Sequence, residues 1–131
     1  MEKNEQMEVF KEYVETQLLN EGFKTAKENW NLGYKDFTLG DEAYTKLEKN
    51  GFKSFNGNTL HVNEVRRHNG TSENISIKFE MMEWNQNSGH CIFKEKISYK
   101  DSKKKQDRII KEVVEKYKEF LKLGNLRCEN E

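Results

Sequence analysis

The residues able to act as ligands, bases or nucleophiles are few: three histidines, His61, His68 and His90, and two cysteines, Cys91 and Cys128. A metal ion needs several imidazole, thiolate or carboxylate groups converging at about 2 Å. His61 and His68 fall in one strand-like run at odd separation, so a regular strand points them to opposite faces. His90 and Cys91 are adjacent and diverge for the same reason. A thiol–imidazole nucleophile needs hydrogen-bond contact and a third group to orient the base. Cys91 with His61, across strands, is the pairing the sequence offers. The chain has no Gly-x-Ser-x-Gly elbow and no glycine-rich phosphate loop. The expectation is a protein that is not an enzyme, with no catalytic residue, no metal and no cofactor.

Glu95 stands apart from the other acids because its strand parity places it inward, between Phe93 and Ile97. Such a carboxylate has its pKa raised by desolvation unless it is paired. It meets a lysine or arginine on a neighbouring element, marks an edge strand whose inward charge deters aggregation, or lines a pocket with Tyr99 and His61.

The elements that position these groups are read from apolar spacing. Ile75, Ile77, Phe79 and Met81 alternate with Ser76, Lys78 and Glu80, which marks a half-buried strand over 74–84. Cys91, Phe93, Ile97 and Tyr99 share one parity in a second strand, 90–99, so Cys91 reads as a small buried hydrophobe. Leu60 and Val62 begin a third, 58–67, and Asn69-Gly70 and Asn85 to Gly89 supply the turns of a meander. Met82, Trp84 and Val65 break parity. Either a bulge in each strand absorbs the slip, or Met82 and Trp84 form a second, exposed apolar patch.

The last helix is predicted over 102–123. Asp101 or Ser102 is its N-cap, and Ile109, Ile110, Val113, Val114, Tyr117, Phe120 and Leu121 form a broad stripe; Gly124 is its stop. A first helix, 2–21, carries the stripe Met7, Phe10, Val14 and Leu18, has an acidic surface, and ends at Gly22. Its acids either frame a helix that simply packs on the sheet or present a docking face for a basic partner. Asp41 caps a short helix, 41–50, ended by Asn50-Gly51. A short edge strand is placed near Tyr34–Thr38, and Phe52 and Phe55 tuck under the sheet before Asn56-Gly57 turns the chain. The fold class is therefore α+β: an antiparallel meander of three to four strands packed against an N-terminal and a long C-terminal helix, within a single domain, 1–131.

Composition narrows the function classes. Apolar residues make up 34% and charged residues 35% of the 131, and the net charge is zero. The core is thin, the surface heavily solvated, and global charge draws the chain to neither nucleic acid nor membrane. Two distant cysteines in no ligand spacing fit a reducing cytosol. No leader pattern or membrane-length run is present, so a cytoplasmic protein is expected. Abundant lysine, asparagine and glutamate with scarce alanine and arginine is a bias associated with AT-rich bacteria and their phages.

The remaining signal is basic. Arg66, Arg67 and His68 cluster at a strand end, and Lys103, Lys104, Lys105 and Arg108 at the start of the last helix, with Lys100 and Lys111 beside them. They suit an acidic protein surface or phosphate, or are a solvated face. The leading expectation is a non-catalytic, protein-binding inhibitor of the kind phages and mobile elements use against host defences (anti-CRISPR-like). Its partner-binding residues are Trp84 and Met82 as apolar anchors, with Arg66, Arg67, His68, Lys103, Lys104 and Arg108 as rim charges. The alternatives are a nucleic-acid-binding accessory protein using the basic clusters, a toxin-immunity protein, and a small-ligand (nucleotide) binder. A protein partner, a nucleic acid and a second copy of the chain are the partners considered; a membrane is not.

Overall fold

The computed structural model describes the backbone of residues 3–39, 44–49, 52–69, 72–85 and 88–129, and the side chains of 5–39, 58–65, 75–83 and 90–120. Helix α1 (Lys3–Asn20) leads into strands β1 (Lys24–Asn29) and β2 (Tyr34–Thr38), joined by a 3-10 turn at Trp30–Leu32. Then come β3 (Tyr44–Lys49), β4 (Phe52–Asn69), β5 (Ser72–Asn85), β6 (Ser88–Ser98) and α2 (Lys103–Glu129). The strands form one six-stranded antiparallel sheet in the order β1-β2-β4-β5-β6, with β3 also paired to β4. The class is α+β as the sequence predicts, but with six strands rather than three or four.

The long strand β4 organises the sheet. Its first part, Phe52 to Gly57, pairs with β3, and Leu60 to Asn63 pairs with β2. Along its other side β5 runs without a break in register from Asn69↔Ser72 to Gly57↔Trp84. One parity of these strands is apolar and buried: Phe37, Leu60, Val62, Ile75, Ile77, Phe79, Met81 and Ile97. Against that face lie Met7, Phe10, Val14 and Leu18 of α1 and Ile109, Ile110, Val113, Val114 and Tyr117 of α2, all in one core. The two amphipathic stripes thus lie on a single side of the sheet. Each large side chain buried there contributes about 1.5–3 kcal/mol.

Helix ends follow from local chemistry. Gly22, at φ +97°, takes the left-handed conformation that closes α1. The Phe23 N–H donates to Leu18 O at 3.1 Å and the Gly22 N–H to Leu19 O at 3.0 Å, a Schellman closure with Phe23 and Leu18 both buried beneath it. Ser102 caps α2, its hydroxyl accepting the Lys105 N–H at 3.2 Å. Asp101 instead accepts the Ser98 N–H at 2.9 Å and fixes the turn before the helix.

Several sequence expectations are corrected. Residues 44–49 form a strand, not part of a helix over 41–50. Ala43, Tyr44 and Leu47 have helical spacing, but Lys49 pairs with Phe52 around Asn50-Gly51, a dipeptide that suits a two-residue hairpin as well as a helix stop. Asn56-Gly57 does not turn the chain; β4 passes straight through it. The positions of Phe52 and Phe55 as side chains lie outside the described residues. The predicted edge strand, Tyr34–Thr38, is interior, because Lys24–Asn29, with no apolar alternation to reveal it, forms the edge beyond it. Gly124 does not end α2, which continues to Glu129. A glycine keeps its N–H and costs a helix only about 1 kcal/mol relative to alanine.

Candidate functional site

With both helices on one side, the opposite face of the sheet has no described element packed on it. It carries the second parity of each strand: Tyr34 and Asp36 of β2, His61, Asn63 and Val65 of β4, Lys78, Glu80 and Met82 of β5, and Lys94 and Lys96 of β6. His61 anchors it. Its Nδ1 lies 2.6 Å from Asp36 Oδ1, and the Tyr34 ring packs against the imidazole with centroids 4.8 Å apart. Tyr34 in turn accepts the Asn29 amide on its hydroxyl at 2.8 Å. Lys78 pairs with Glu80 at 3.1 Å and stands directly across from Lys96, a like-charge pairing that the isolated sheet does not favour.

Met82 lies on this face, half-buried, and the Trp84 position shares its parity. No bulge occurs in β5 against β4 at Met82, nor at Val65, so both belong to the second face rather than being folded back into the core. The irregularity sits in β6, where Met81 pairs with Phe93 and Met82 with Cys91, leaving Ile92 as the extra residue. That shift overturns the expected burial of Cys91: it turns to the open face and is exposed. Partial burial and then the Glu80 carboxylate raise its thiol above the ordinary value, the wrong direction for a nucleophile. His61 pairs with Glu80 and Cys91 with Met82, so β5 separates the two by about 10 Å. They form no catalytic pair. No group of three or more His, Cys, Asp and Glu side chains that could hold a metal is present among the described residues.

The sequence-predicted pocket around Glu95, Tyr99 and His61 does not assemble. His61 faces away from the helices, and Glu95 lies at the helix-covered edge, 3.9 Å from Lys116 of α2. Tyr99 instead helps line a groove of about 320 Å³ with Val9, Phe10 and Tyr13 of α1 and Asp101, Lys103 and Gln106 at the start of α2.

The partner residues expected from sequence fall into two places. Met82 and Trp84 lie toward one end of β5, whereas Arg66 pairs with Ile75 near the other end. Nine residues of strand separate Ile75 from Trp84, about 30 Å, so anchors and rim charges do not make one compact patch. The side chains of Trp84, Arg66, Arg67 and His68 lie outside the described residues. Lys103, Lys104 and Arg108 are exposed at the start of α2. Its first turn joins the Arg66 end of the sheet, since Tyr99 N–H donates to Ile75 O at 2.9 Å.

Sequence reasoning missed a set of buried lysines under α1. Lys11 is 3.1 Å from Glu64 and 2.8 Å from Glu8, and Lys35 pairs with Glu15. Burial alone lowers the Lys11 ammonium, but hydrogen bonds to Glu8 and Glu64 outweigh it and raise the pKa overall. One α1 acid, Glu15, is thus drawn under the helix while Glu8 stays exposed, and the buried stripe of α1 favours a packing role for the helix. The signal was the odd placement of Lys35 on the parity of Phe37. No helix among the described residues is long and apolar enough to cross a membrane. No family model, curated protein or solved structure matches the chain.

Proposed function

We propose that this chain is a non-catalytic binding protein that inhibits a larger protein by covering part of its surface with the open face of the sheet. The observation that carries the reading is the one-sided placement of α1 and α2, which leaves a face of aromatic, thioether and charged groups with no described element packed on it. Tyr34 and His61 form a preorganised ring pair held by Asp36 and Asn29. Rings fixed in this way lose little conformational entropy on binding, which is why interfaces favour them. Met82 and the Trp84 position extend the face as apolar anchors, and Lys78, Lys94 and Lys96 supply charge.

The manner of docking is side-chain contact rather than strand addition. The outer strands β1 and β6 resist a new strand: β1 is bulged at Ala26 and β6 at Ile92, and both carry lysines. Bulges and edge lysines are the usual protections against such pairing. Inhibition of a host defence enzyme, as small phage and mobile-element proteins perform it, suits a chain of this size and composition.

The test is affinity capture from a lysate of the source cell, comparing the unaltered chain with a Tyr34→Ala/His61→Ala variant after nuclease treatment. A protein retained by the first and lost by the second, with the circular dichroism of the two alike, is the expected result. Equal recovery by both would move the interface off this face.

A further inference from the structure

We propose that the corner where β6 hands over to α2 binds the phosphate backbone of double-stranded nucleic acid, independently of sequence. Residues 100–111 carry six lysines and arginines against two acids, Asp101 and Asp107. All six cations are exposed, and the Asp101 carboxylate is already occupied by the Ser98 N–H and by Lys105 at 3.3 Å. The cluster is therefore a net positive surface within a chain of zero net charge.

Its placement opposes what helix stability asks for. The first turn of α2 has no acidic residue and instead carries Lys103, Lys104 and Lys105. Cations at the positive pole of a helix are disfavoured, and anions are favoured there. A phosphate at this corner meets both the lysines and the pole. Independently, sheet pairing brings a second basic run to the same end: Tyr99 N–H bonds Ile75 O, and Ile75 pairs with Arg66. The strand positions of Arg66, Arg67 and His68 thus lie about two strand spacings, some 10 Å, from the turn into α2.

The chemistry of the patch selects the partner. Protein interfaces are poor in lysine and need an apolar or aromatic centre, whereas nucleic-acid interfaces are dominated by positive charge. Along α2, Lys104, Arg108 and Lys111 recur at helical spacing on an exposed face, with no apolar residue among them. Single strands are held largely by stacking on exposed aromatic rings, and the rings beside this corner are already engaged: Tyr13 has Lys103 5.0 Å from its centroid and Tyr99 packs edge-on against Phe10 at 5.7 Å. A duplex, gripped through its phosphates, fits better.

Fluorescence anisotropy with a duplex DNA of about 20 base pairs, titrated over a series of salt concentrations, tests this. Binding to unrelated sequences with similar affinity, falling steeply as salt rises, is expected. The K104E/R108E variant, whose new acids stand at exposed positions near the helix start and spare the core, should bind at least tenfold more weakly. Its logarithmic salt slope should be smaller by about two. Circular dichroism confirms that it folds. Absence of binding at about 50 mM salt, or unchanged affinity in a folded K104E/R108E variant, overturns the proposal. Polyglutamate competing as well as DNA at equal charge would overturn it too, assigning the corner to an acidic protein surface. None of these substitutions touches the open face, so the corner and the open-face reading fail separately.

Discussion

The imidazole of His61 and the carboxylate of Asp36 meet at 2.6 Å across β4 and β2, on the side of the sheet away from both helices. Asp36 is nearly buried although it belongs to that open face. Its second neighbour along the contact is the Tyr34 ring, which fixes the imidazole plane. The pair has the form of a carboxylate–histidine couple, but Cys91, the nucleophile the sequence offered it, lies beyond β5. It holds the imidazole against the Tyr34 ring. Asp36→Asn keeps an acceptor while removing the charge, and urea unfolding should show a loss of about 1 kcal/mol. A loss near zero would mean that water replaces the contact freely.

An ion pair is more deeply placed. Lys35 lies on the helix-covered parity of β2 and reaches Glu15 of α1, which also accepts the Trp30 indole N–H at 3.4 Å. Removing one partner strands the other charge beneath the helix, so Lys35→Ala should cost about 3 kcal/mol. Replacing both with apolar groups of similar volume, Lys35→Met with Glu15→Leu, should recover most of that loss. Chemical denaturation of Lys35→Met, of Glu15→Leu and of the double variant forms a double-mutant cycle. Additive losses in that cycle would show that the two side chains do not act as a pair.

Asp101 and Tyr117 contribute to the pH dependence of stability in opposite directions. The Ser98 N–H, ahead of the Lys105 ammonium, holds the Asp101 carboxyl below its ordinary value. Its contribution is present above the unfolded value of about 3.9 and is lost as pH falls through the lower folded value. Burial pushes the Tyr117 phenol up against the opposing effect of its Thr38 and Leu39 hydrogen bonds. That contribution is full below the unfolded value of about 10 and is lost as pH rises through the higher folded one. Thermal melts across pH should therefore lose their acid slope in part with Asp101→Asn and their alkaline slope in part with Tyr117→Phe. Lys11, raised by Glu8 and Glu64, leaves a residual alkaline slope in the second variant. A Tyr117→Phe variant with an unchanged alkaline limb would place the titrating group elsewhere.

The parts of the fold legible in the sequence are those where one face is buried and the other wet. The stripes of α1 and α2, and the alternation around Ile77 and Phe79, predict their elements because the core enforces period. Legibility fails where the core does not reach. The edge strand Lys24–Asn29 is polar except for Ala26, with no buried residue to mark it. The β6 bulge at Ile92 is a pairing event between strands and reverses Cys91 without any local sequence signal. The open face was visible only as broken parity at Val65, Met82 and Trp84. A strand that bears apolar residues on both faces gives that pattern without any bulge. Glu95 shows the better case: inward parity implied a cation, a protective edge charge or a pocket, and Lys116 is the cation.

Two glycines with opposite expected responses test how helix ends are set. Gly22 closes α1 at φ +97°, and a Cβ there meets only Leu39 Cδ2, at 3.8 Å, so the obstacle to alanine is backbone conformation rather than space. Gly22→Ala should lower stability by about 1 kcal/mol, the cost of forcing an L-residue into the left-handed region. Gly124 stands inside α2, whose backbone continues to Glu129. Gly124→Ala should raise helix content and add about 1 kcal/mol or less, because alanine propagates a helix better and restricts the unfolded chain. Far-ultraviolet circular dichroism with urea unfolding reads both. If Gly124→Ala instead destabilises the chain as Gly22→Ala does, the glycine occupies a left-handed stop and α2 ends there, as its sequence position alone suggests.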